Sequence, residues 1–248
     1  MPISTVFNED RMSFLSRFSD GFFDLVIDDP PYGIGADKPS MKPGTVKQRN
    51  GTLLSVKQSI YTNTEWDNEP PPPEYFCELK RVSKAQIIWG VNYFDYLLPG
   101  GRIVWDKLNG MTDQFDCEIA YCSLNRRTDR FYCMWNGMIQ GRYCGKVLNK
   151  ALIQKGNKRK NESRIHPCQK PVLLYNYLLN TYAKTGYKIC DPHMGSQSSR
   201  IAAYIGGFDY WGCEADTSFF DSGCERFRRE CMGEINTKEG IIKEQRLF

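Results

Sequence analysis

Histidine is scarce in this chain, and its cysteines are never spaced as Cys-x-x-Cys pairs. Two histidines and ten scattered cysteines form no recognisable zinc-ligand pattern, so we predict no metal site. A chain of 248 residues can bury a large core without disulfide bridges. Reduced, mostly buried thiols are therefore the expected state of the cysteines.

Long hydrophobic runs are also missing. No segment approaches the roughly 18 consecutive apolar residues of a membrane span, and residues 1–10 lack the basic and apolar regions of a secretory signal peptide. We expect a cytoplasmic protein without membrane contact. The hydrophobic fraction of 41% is ordinary for a globular protein, and the length fits a single α/β domain over residues 1–248.

Positive charge is concentrated in two segments. The net charge is only +4, but residues 123–165 hold eleven basic and two acidic residues, and residues 36–64 hold five basic and one acidic. Basic segments on an acidic body indicate a polyanion bound at one face, although two solvated loops would carry the same charge. We predict a mobile basic loop over 36–64 and a basic, glycine-rich insertion outside the core sheet over 126–161.

Short apolar runs alternate with helical patterns along the rest of the chain. Strands are predicted at 22–27, 86–89, 102–105, 118–122, 187–190 and 210–213, and helices at 74–84, at 171–182 and from 198 onward. This alternation predicts a mostly parallel sheet flanked by helices, with ligands at the carboxyl ends of the strands.

The first strand-like run ends abruptly at the segment Asp29-Pro30-Pro31-Tyr32. Proline has no backbone N–H and a fixed φ, so this loop can present the Asp29 carboxylate and the Pro30 carbonyl as rigid acceptors. Two acceptors facing the two N–H groups of an aromatic amine would localise its lone pair on nitrogen. Tyr32 could stack on the same ring. A simple Pro-Pro turn is the alternative interpretation.

A second segment joins a predicted strand to a predicted helix over residues 191–199 and is rich in small residues. Small residues let the backbone approach a ligand, and the helix start offers free N–H groups. Glu214 ends the next strand about twenty residues later, where an acid suits the ribose hydroxyls of an adenosine-containing cofactor. An ordinary strand–helix unit would have the same pattern.

A third segment precedes the helix predicted at 171–182 and reads His166-Pro167-Cys168-Gln169-Lys170-Pro171. Alone it is a proline-led helix start. Together the three segments resemble the β-group of DNA amino-methyltransferases, which carries DPPY, then HPxQKP, then DPFxGSGT. The resemblance runs from about residue 8 to residue 227. It implies a Rossmann-like methyltransferase fold with a circularly permuted motif order.

The resemblance also implies an activity and a site. A methyl group would pass from S-adenosylmethionine to N6 of an adenine flipped out of double-stranded DNA in a bacterial cell. The implied catalytic residues are Asp29, Pro30, Pro31 and Tyr32. The implied cofactor contacts are Asp10, His166, Gln169, Lys170, Asp191, Pro192, Gly195, Ser196 and Glu214. We assign target recognition to residues 123–165, with DNA contacts from Arg126, Arg127, Arg130, Lys158, Arg159 and Lys160. Because this insertion is short, we expect a homodimer.

Three positions depart from the family pattern. Gln197 stands where the family usually has glycine, His193 where it has Phe, and Cys168 where it has Thr. If the glycine position needs positive φ, Gln197 is strained by about 1 kcal/mol.

Other functions remain open at this stage. The same motifs occur in cytosine N4 methyltransferases, although these more often have Ser in place of Asp29. RNA and a glutamine amide are amino substrates of related enzymes. A non-catalytic DNA-binding protein on a methyltransferase frame is a further alternative, with Gln197 as its lesion.

Overall fold

A mixed β-sheet of nine strands forms the centre of the described part of the molecule. The computed structural model describes residues 1–35, 44–47, 51, 53–56, 67–108, 115–136, 139–142, 162, 164–237 and 240–243. The spatial order of the strands is β1 (Ser4–Asn8), β11 (Asp209–Glu214), β10 (Lys188–Asp191), β2 (Leu25–Asp28), β5 (Gln86–Trp89), β7 (Cys117–Cys122), β6 (Gly101–Asp106), β8 (Thr128–Asn136) and β9 (Ile139–Arg142).

The first five strands of this order are parallel, which brings their carboxyl ends to one edge of the sheet. β7 runs antiparallel to both its neighbours, so β6 and β8 point the same way as the parallel strands. Two antiparallel hairpins lie outside the sheet: β3 (Gly44–Lys47) with β4 (Leu53–Val56), and β12 (Glu234–Thr237) with β13 (Gly240–Lys243). The predicted mostly parallel α/β architecture is confirmed.

Helices pack on both faces of the sheet. They are α1 (Arg11–Leu15), α2 (Pro73–Val82), α3 (Val172–Tyr182), α4 (Ser198–Ile205) and α5 (Thr217–Met232). Leu25 and Ile27 of β2 share a core with α3 and α4, whereas Val26 shares the opposite core with α1 and α2. Because the central strands are buried on both faces, their sequences are continuous apolar runs. None of the described helices is long and apolar enough to cross a membrane.

Two sequence expectations are wrong in part. The segment 36–64 contains the hairpin β3–β4 where a loop was expected, and its other residues, apart from Gly51, lie outside the described residues. The segment 126–161 was expected outside the core sheet, but β8 and β9 extend that sheet. The reason is a two-residue alternation that its charge obscured: Cys133 and Trp135 are buried, while Arg130 is exposed.

Candidate active site

A cavity of about 980 Å³ opens at the carboxyl edge of the parallel strands. All three sequence segments line it, through Asp29–Tyr32, His166–Lys170 and Pro192–Ser196, and Glu214 adds the end of β11. Ligands of α/β sheets bind at this edge, because the loops after the strands converge there. The fold therefore brings together side chains that are far apart in sequence.

Asp29 has one anchored carboxylate oxygen. Its Oδ1 accepts a hydrogen bond from the Tyr32 hydroxyl at 2.6 Å and is paired with the Lys170 ammonium group. Among the described residues, none donates a hydrogen bond to Oδ2. The carboxylate is thus fixed in orientation while keeping an acceptor for a ligand that enters the cavity.

Two further charges adjoin this pair. Glu118 Oε2 lies 3.0 Å from Lys170 Nζ, and Glu118 Oε1 lies 2.5 Å from Lys107 Nζ. We call Asp29, Lys170, Glu118 and Lys107 the charge cluster. Burial, together with the negative charge of Glu118, raises the pKa of Asp29 although Lys170 acts against this. Burial alone would raise the pKa of Glu118 too, but the two ammonium groups lower it to about 2.

Tyr32 is already held in place by neighbours. Its ring stacks on Tyr93 with centroids 5.1 Å apart and planes 17° apart. Gly90, whose φ is 75°, also lies against the Tyr32 ring. A Cβ at this position would lie 2.1 Å from the ring, so only glycine fits. Asp67 Oδ1 accepts from the backbone N–H groups of Tyr32 at 2.6 Å and Gly33 at 2.9 Å. The tyrosine is thereby fixed at the cavity wall.

The second half of the cavity is built from backbone N–H groups around an acid. Glu214 Oε2 accepts from the Gly195 N–H at 2.9 Å, and Oε1 accepts from the Asp216 N–H at 2.9 Å. The His166 ring lies against Gly195, and burial, aided by the Lys170 charge, lowers the pKa of His166 to about 3. His166 is therefore a neutral wall of this half, and Glu214 keeps lone pairs for hydroxyl donors.

Some predicted cofactor residues act within the protein. Asp10 lines the cavity but also caps α1, because its Oδ1 accepts from the N–H groups of Met12 and Ser13. Asp191 is fully buried and is not among the cavity-lining residues. It accepts from the Ser199 hydroxyl at 2.5 Å and the His193 N–H at 3.0 Å, so its role in the structure is to shape the loop.

Gln169 also acts within the protein, although it lies at the cavity. Its Oε1 accepts from the Ile165 N–H at 2.9 Å and its Nε2 donates to Glu162 at 3.0 Å. Glu162 in turn forms an ion pair with the fully buried Arg226 at 2.6 Å. Arg226 donates to the Ser196 carbonyl at 3.0 Å. The second and third sequence segments are thus joined through a buried ion pair.

Gln197 has a positive φ, which is the condition under which the sequence predicted strain at this position. Its φ and ψ are 60° and 26°, a left-handed conformation that is strained for a residue other than glycine. The buried side chain packs on α5: Nε2 donates to the Phe220 carbonyl at 3.2 Å, and Oε1 accepts from Arg200 at 2.8 Å. A Cβ at Gly223 would lie 2.7 Å from this side chain. Gln197 therefore belongs to the α5 contact and is not among the cavity-lining residues.

His193, the second departure, is accommodated by a chain of hydrogen bonds. Arg11 can only donate, so it donates to His193 Nε2 at 2.9 Å, which places the ring proton on Nδ1. Nδ1 then donates to Asp28 Oδ1 at 2.7 Å, and the Tyr75 hydroxyl donates to Asp28 Oδ2 at 2.7 Å. The buried Asp28 carboxylate is thus satisfied on both oxygens.

Cys168, the third departure, lines the cavity near the charge cluster. Burial, with the negative charge of Asp29, raises the pKa of Cys168 to about 12. The thiol therefore stays protonated at neutral pH, and thiolate nucleophilic chemistry is not favoured there.

The described residues among the predicted DNA contacts, Arg126, Arg127 and Arg130, do not line the cavity. The Arg127 carbonyl accepts from the Arg102 N–H at the amino end of β6, so Arg126 and Arg127 lie at the edge opposite the cavity. Arg130 is exposed on β8, with its guanidinium 4.6 Å from the Tyr132 ring centroid. The other three predicted contacts lie outside the described residues: Lys158, Arg159 and Lys160.

Several cavity residues were not anticipated from the sequence. They are Asp67, Tyr93, Lys107, Glu118 and Arg164. For Lys107 and Glu118 a signal existed, since each is a charge at the end of an apolar strand. Asp67 had no such signal, because it reaches the site through a tertiary contact with a distant segment. Tyr93 lies in a segment, 88–94, that resembles an intermediate motif of the family, but it was not assigned to the site.

Comparisons with known proteins agree with this geometry. A family model described as DNA methylase, of the N6/N4 type, matches residues 123–225. The chain is 21% identical to the Type II methyltransferase M2.MboI of Moraxella bovis, over 90% of this chain and 86% of that protein.

Solved structures are similar at lower identity. The cytosine-N4-specific PvuII DNA methyltransferase has a TM-score of 0.50 and 11% identity, over 91% of this chain and 87% of that chain. The complex of M1.HpyAVI with S-adenosylmethionine has a TM-score of 0.49 and 15% identity, over 90% and 98%. The similarity to the PvuII enzyme shows a shared fold.

The matched region runs from the end of β7 into α5, and so includes the third sequence segment, the small-residue loop and Glu214. The relative from Moraxella aligns over nearly the whole chain, including the Asp29 segment. These matches and the cavity that joins the three segments lead to one conclusion: residues 123–225 match the N6/N4 type of DNA methylase, and the chain as a whole is similar to a DNA methyltransferase of that kind.

Proposed function

We propose that this DNA methyltransferase transfers a methyl group to N6 of adenine. The observation that carries the proposal is Asp29, whose Oδ1 is anchored by Tyr32 and Lys170 while Oδ2 accepts no hydrogen bond from a described residue. A fixed carboxylate of this kind is suited to hold one N–H of an exocyclic amine. The Pro30 carbonyl, at the cavity wall, is the proposed acceptor for the second N–H.

The cofactor is S-adenosylmethionine, which when bound supplies an electrophilic sulfonium methyl group. The residues present fit it: Glu214 offers lone pairs to the ribose hydroxyls, while Gly195 and Ser196 let the backbone approach, beside the neutral His166 ring. Asp29 orients the amine and, because burial raises its pKa, can take the proton that the nitrogen loses after methyl transfer. Tyr32 stacks on the base in the place that the Tyr93 ring occupies in this structure.

Adenine is preferred over cytosine because the motif has Asp29, whereas the family's cytosine enzymes more often have Ser there. The similarity to the cytosine-N4-specific PvuII enzyme keeps cytosine N4 as the second candidate. Mass spectrometry of nucleosides from the DNA of expressing cells decides between them. We expect N6-methyladenine, and N4-methylcytosine alone would contradict the proposal. Cells expressing Asp29→Ala are the matched control and should contain neither base.

The proposed substrate is double-stranded DNA of the bacterial cytoplasm, with the target base flipped into the cavity. Target recognition is proposed for residues 123–165, and Arg164, which lines the cavity and is exposed, joins the earlier candidates. A homodimer would extend the basic surface beyond this short segment. Light scattering should give twice the chain mass at micromolar concentration, and a monomer both free and on DNA would contradict the dimer.

A further inference from the structure

Two carboxylates share one buried ammonium group at the catalytic edge. Lys170 Nζ is paired with Asp29 Oδ1 and lies 3.0 Å from Glu118 Oε2, while Lys107 Nζ holds the other Glu118 oxygen at 2.5 Å. The four side chains of the charge cluster are between 4% and 17% exposed. Because little water screens these charges from one another, the removal of one of them strongly affects the others.

The sheet itself fixes the outer half of the charge cluster. Glu118 pairs in register with Trp105 of β6, and the Lys107 N–H donates to the Asp116 carbonyl at 2.9 Å. Alternate residues of a strand share a face, so Glu118 lies on the same face as the buried Ala120, two residues nearer the catalytic edge. Lys107 likewise comes two residues after the buried Trp105 on β6. Glu118 is thus carried by a rigid element and does not depend on a loop.

We propose that Glu118 is a positioning residue for methyl transfer, acting on Asp29 through the ammonium group of Lys170 that they share. This inference rests on the proposed function. A Lys170 paired with Asp29 alone would direct all its hydrogen-bonding and charge to that carboxylate, making Asp29 a weaker acceptor for the amine. Glu118 divides that interaction and holds the ammonium in place, and Lys107 balances the charge of Glu118.

The proposal predicts a shift in the pH dependence of the reaction. Asp29 must be ionised to accept the amine N–H, so the rate should fall as the pH drops through its pKa. The titratable groups that interact with Asp29 are Lys170, Glu118, Tyr32, Cys168 and Asp191. Of the two carboxyl groups in this set, Glu118 is the one whose charge opposes ionisation of Asp29 more strongly. Its neutralisation should therefore move the acidic limb of the rate profile to lower pH.

The test compares the wild-type protein with Glu118→Gln. Single-turnover methyl transfer is measured between pH 5 and 9 with radiolabelled S-adenosylmethionine and genomic DNA from a methylation-deficient strain. Calorimetry gives the cofactor affinity. Glu78→Gln is the matched control, because Glu78 also accepts from a basic side chain, Arg81, but lies on α2. We expect Glu118→Gln to lower the plateau rate at least tenfold, shift the acidic limb to lower pH and leave the cofactor Kd within twofold.

Each other outcome has a defined meaning. An acidic limb that coincides with that of wild type overturns the proposal, whether the rate falls or not. A raised KM for DNA with an unmoved limb would make Glu118 a substrate contact and also overturn it. If Glu118→Gln folds poorly, Glu118→Gln with Lys107→Met restores the charge balance and should still show the shifted limb. A wild-type protein that binds no cofactor would instead reject the proposed function.

Discussion

At the scale of single residues, Gln197 affects the conformation of the loop before α4. Gln197 occupies a position where the family usually has glycine, and its φ of 60° shows why glycine is preferred there. The strain of about 1 kcal/mol is offset by hydrogen bonds of the side-chain amide with Phe220, Cys224 and Arg200, and by packing into the space left by Gly223. The structure thus accommodates the Gln197 side chain through specific contacts.

Gln197→Gly should lower the free energy of unfolding by about 1–3 kcal/mol, because the loss of buried hydrogen bonds exceeds the relief of strain. Urea denaturation measures this change. The cofactor affinity should stay within twofold, since Gln197 does not line the cavity.

The control for this prediction is a double-mutant cycle with Gly223→Ala. The added methyl group clashes with Gln197 in the single variant and fills empty space in the double variant. The double variant should therefore be more stable than the sum of the two single effects predicts. Additive effects would show that Gln197 and Gly223 are not coupled. A Gln197→Gly variant that is more stable than wild type would show that the backbone strain at Gln197 outweighs its hydrogen bonds.

The secondary-structure elements differ in how well they can be predicted from their sequences. The central strands β2 and β5 were predictable because burial on both faces makes them continuous apolar runs. α5 was not predicted, since its buried face includes Gly223 and Arg226, which no apolar periodicity marks. β8 was missed because its alternation is interrupted by exposed basic residues. The catalytic and cofactor segments were located by their motifs. The residues that contact these segments from elsewhere in the chain, such as Asp67 and Glu118, were not predicted.

The buried ion pair of Glu162 and Arg226 joins three helices. Arg226 lies on α5 and donates to the Ser196 carbonyl, just before α4, and to the Ser198 hydroxyl, at the start of α4. Glu162 accepts from the N–H of Val172 at the start of α3. Arg226→Met should cost about 3–5 kcal/mol of stability, because Glu162 is left buried without its cation. It should also weaken the cofactor affinity, because the Ser196 carbonyl loses a donor beside the cavity.

Thermal unfolding and calorimetry measure both effects. Arg229→Met is the matched control, as Arg229 lies on the same helix, is 36% exposed and pairs only with Glu230 among the described residues. A Glu162→Gln, Arg226→Met double variant should recover part of the lost stability. Equal losses from Arg226→Met and Arg229→Met would contradict the assigned role.

At the scale of the molecule, the first basic residues of the segment 123–165 lie away from the catalytic edge. Arg126 and Arg127 were grouped with the later basic residues by sequence alone, yet they lie at the amino edge of the sheet, away from the cavity. Sequence proximity fails here because β8 spans the sheet between the two edges. DNA that enters the cavity should therefore meet Arg164, the described basic residue of this segment that lines the cavity.

Replacement of Lys158, Arg159 and Lys160 by Ala should flatten the slope of log DNA affinity against log salt. The variant makes fewer phosphate contacts, so its binding releases fewer counterions from the DNA. Fluorescence anisotropy on duplex DNA at several salt concentrations measures the slope. Arg126→Ala with Arg127→Ala is the matched control and should leave it nearly unchanged. An equal flattening in both variants would assign DNA contact to the amino edge as well.

The central claim is that Asp29 acts on the target amine and not on the cofactor, and Asp29→Ala tests it most directly. Single-turnover methyl transfer to unmethylated genomic DNA should fall by at least about a hundredfold, because the amine loses its fixed acceptor. Calorimetric affinity for S-adenosylmethionine should stay close to that of the wild-type protein. A variant that retains a tenth of the wild-type rate, or one that loses cofactor binding in proportion to its activity, would contradict the account.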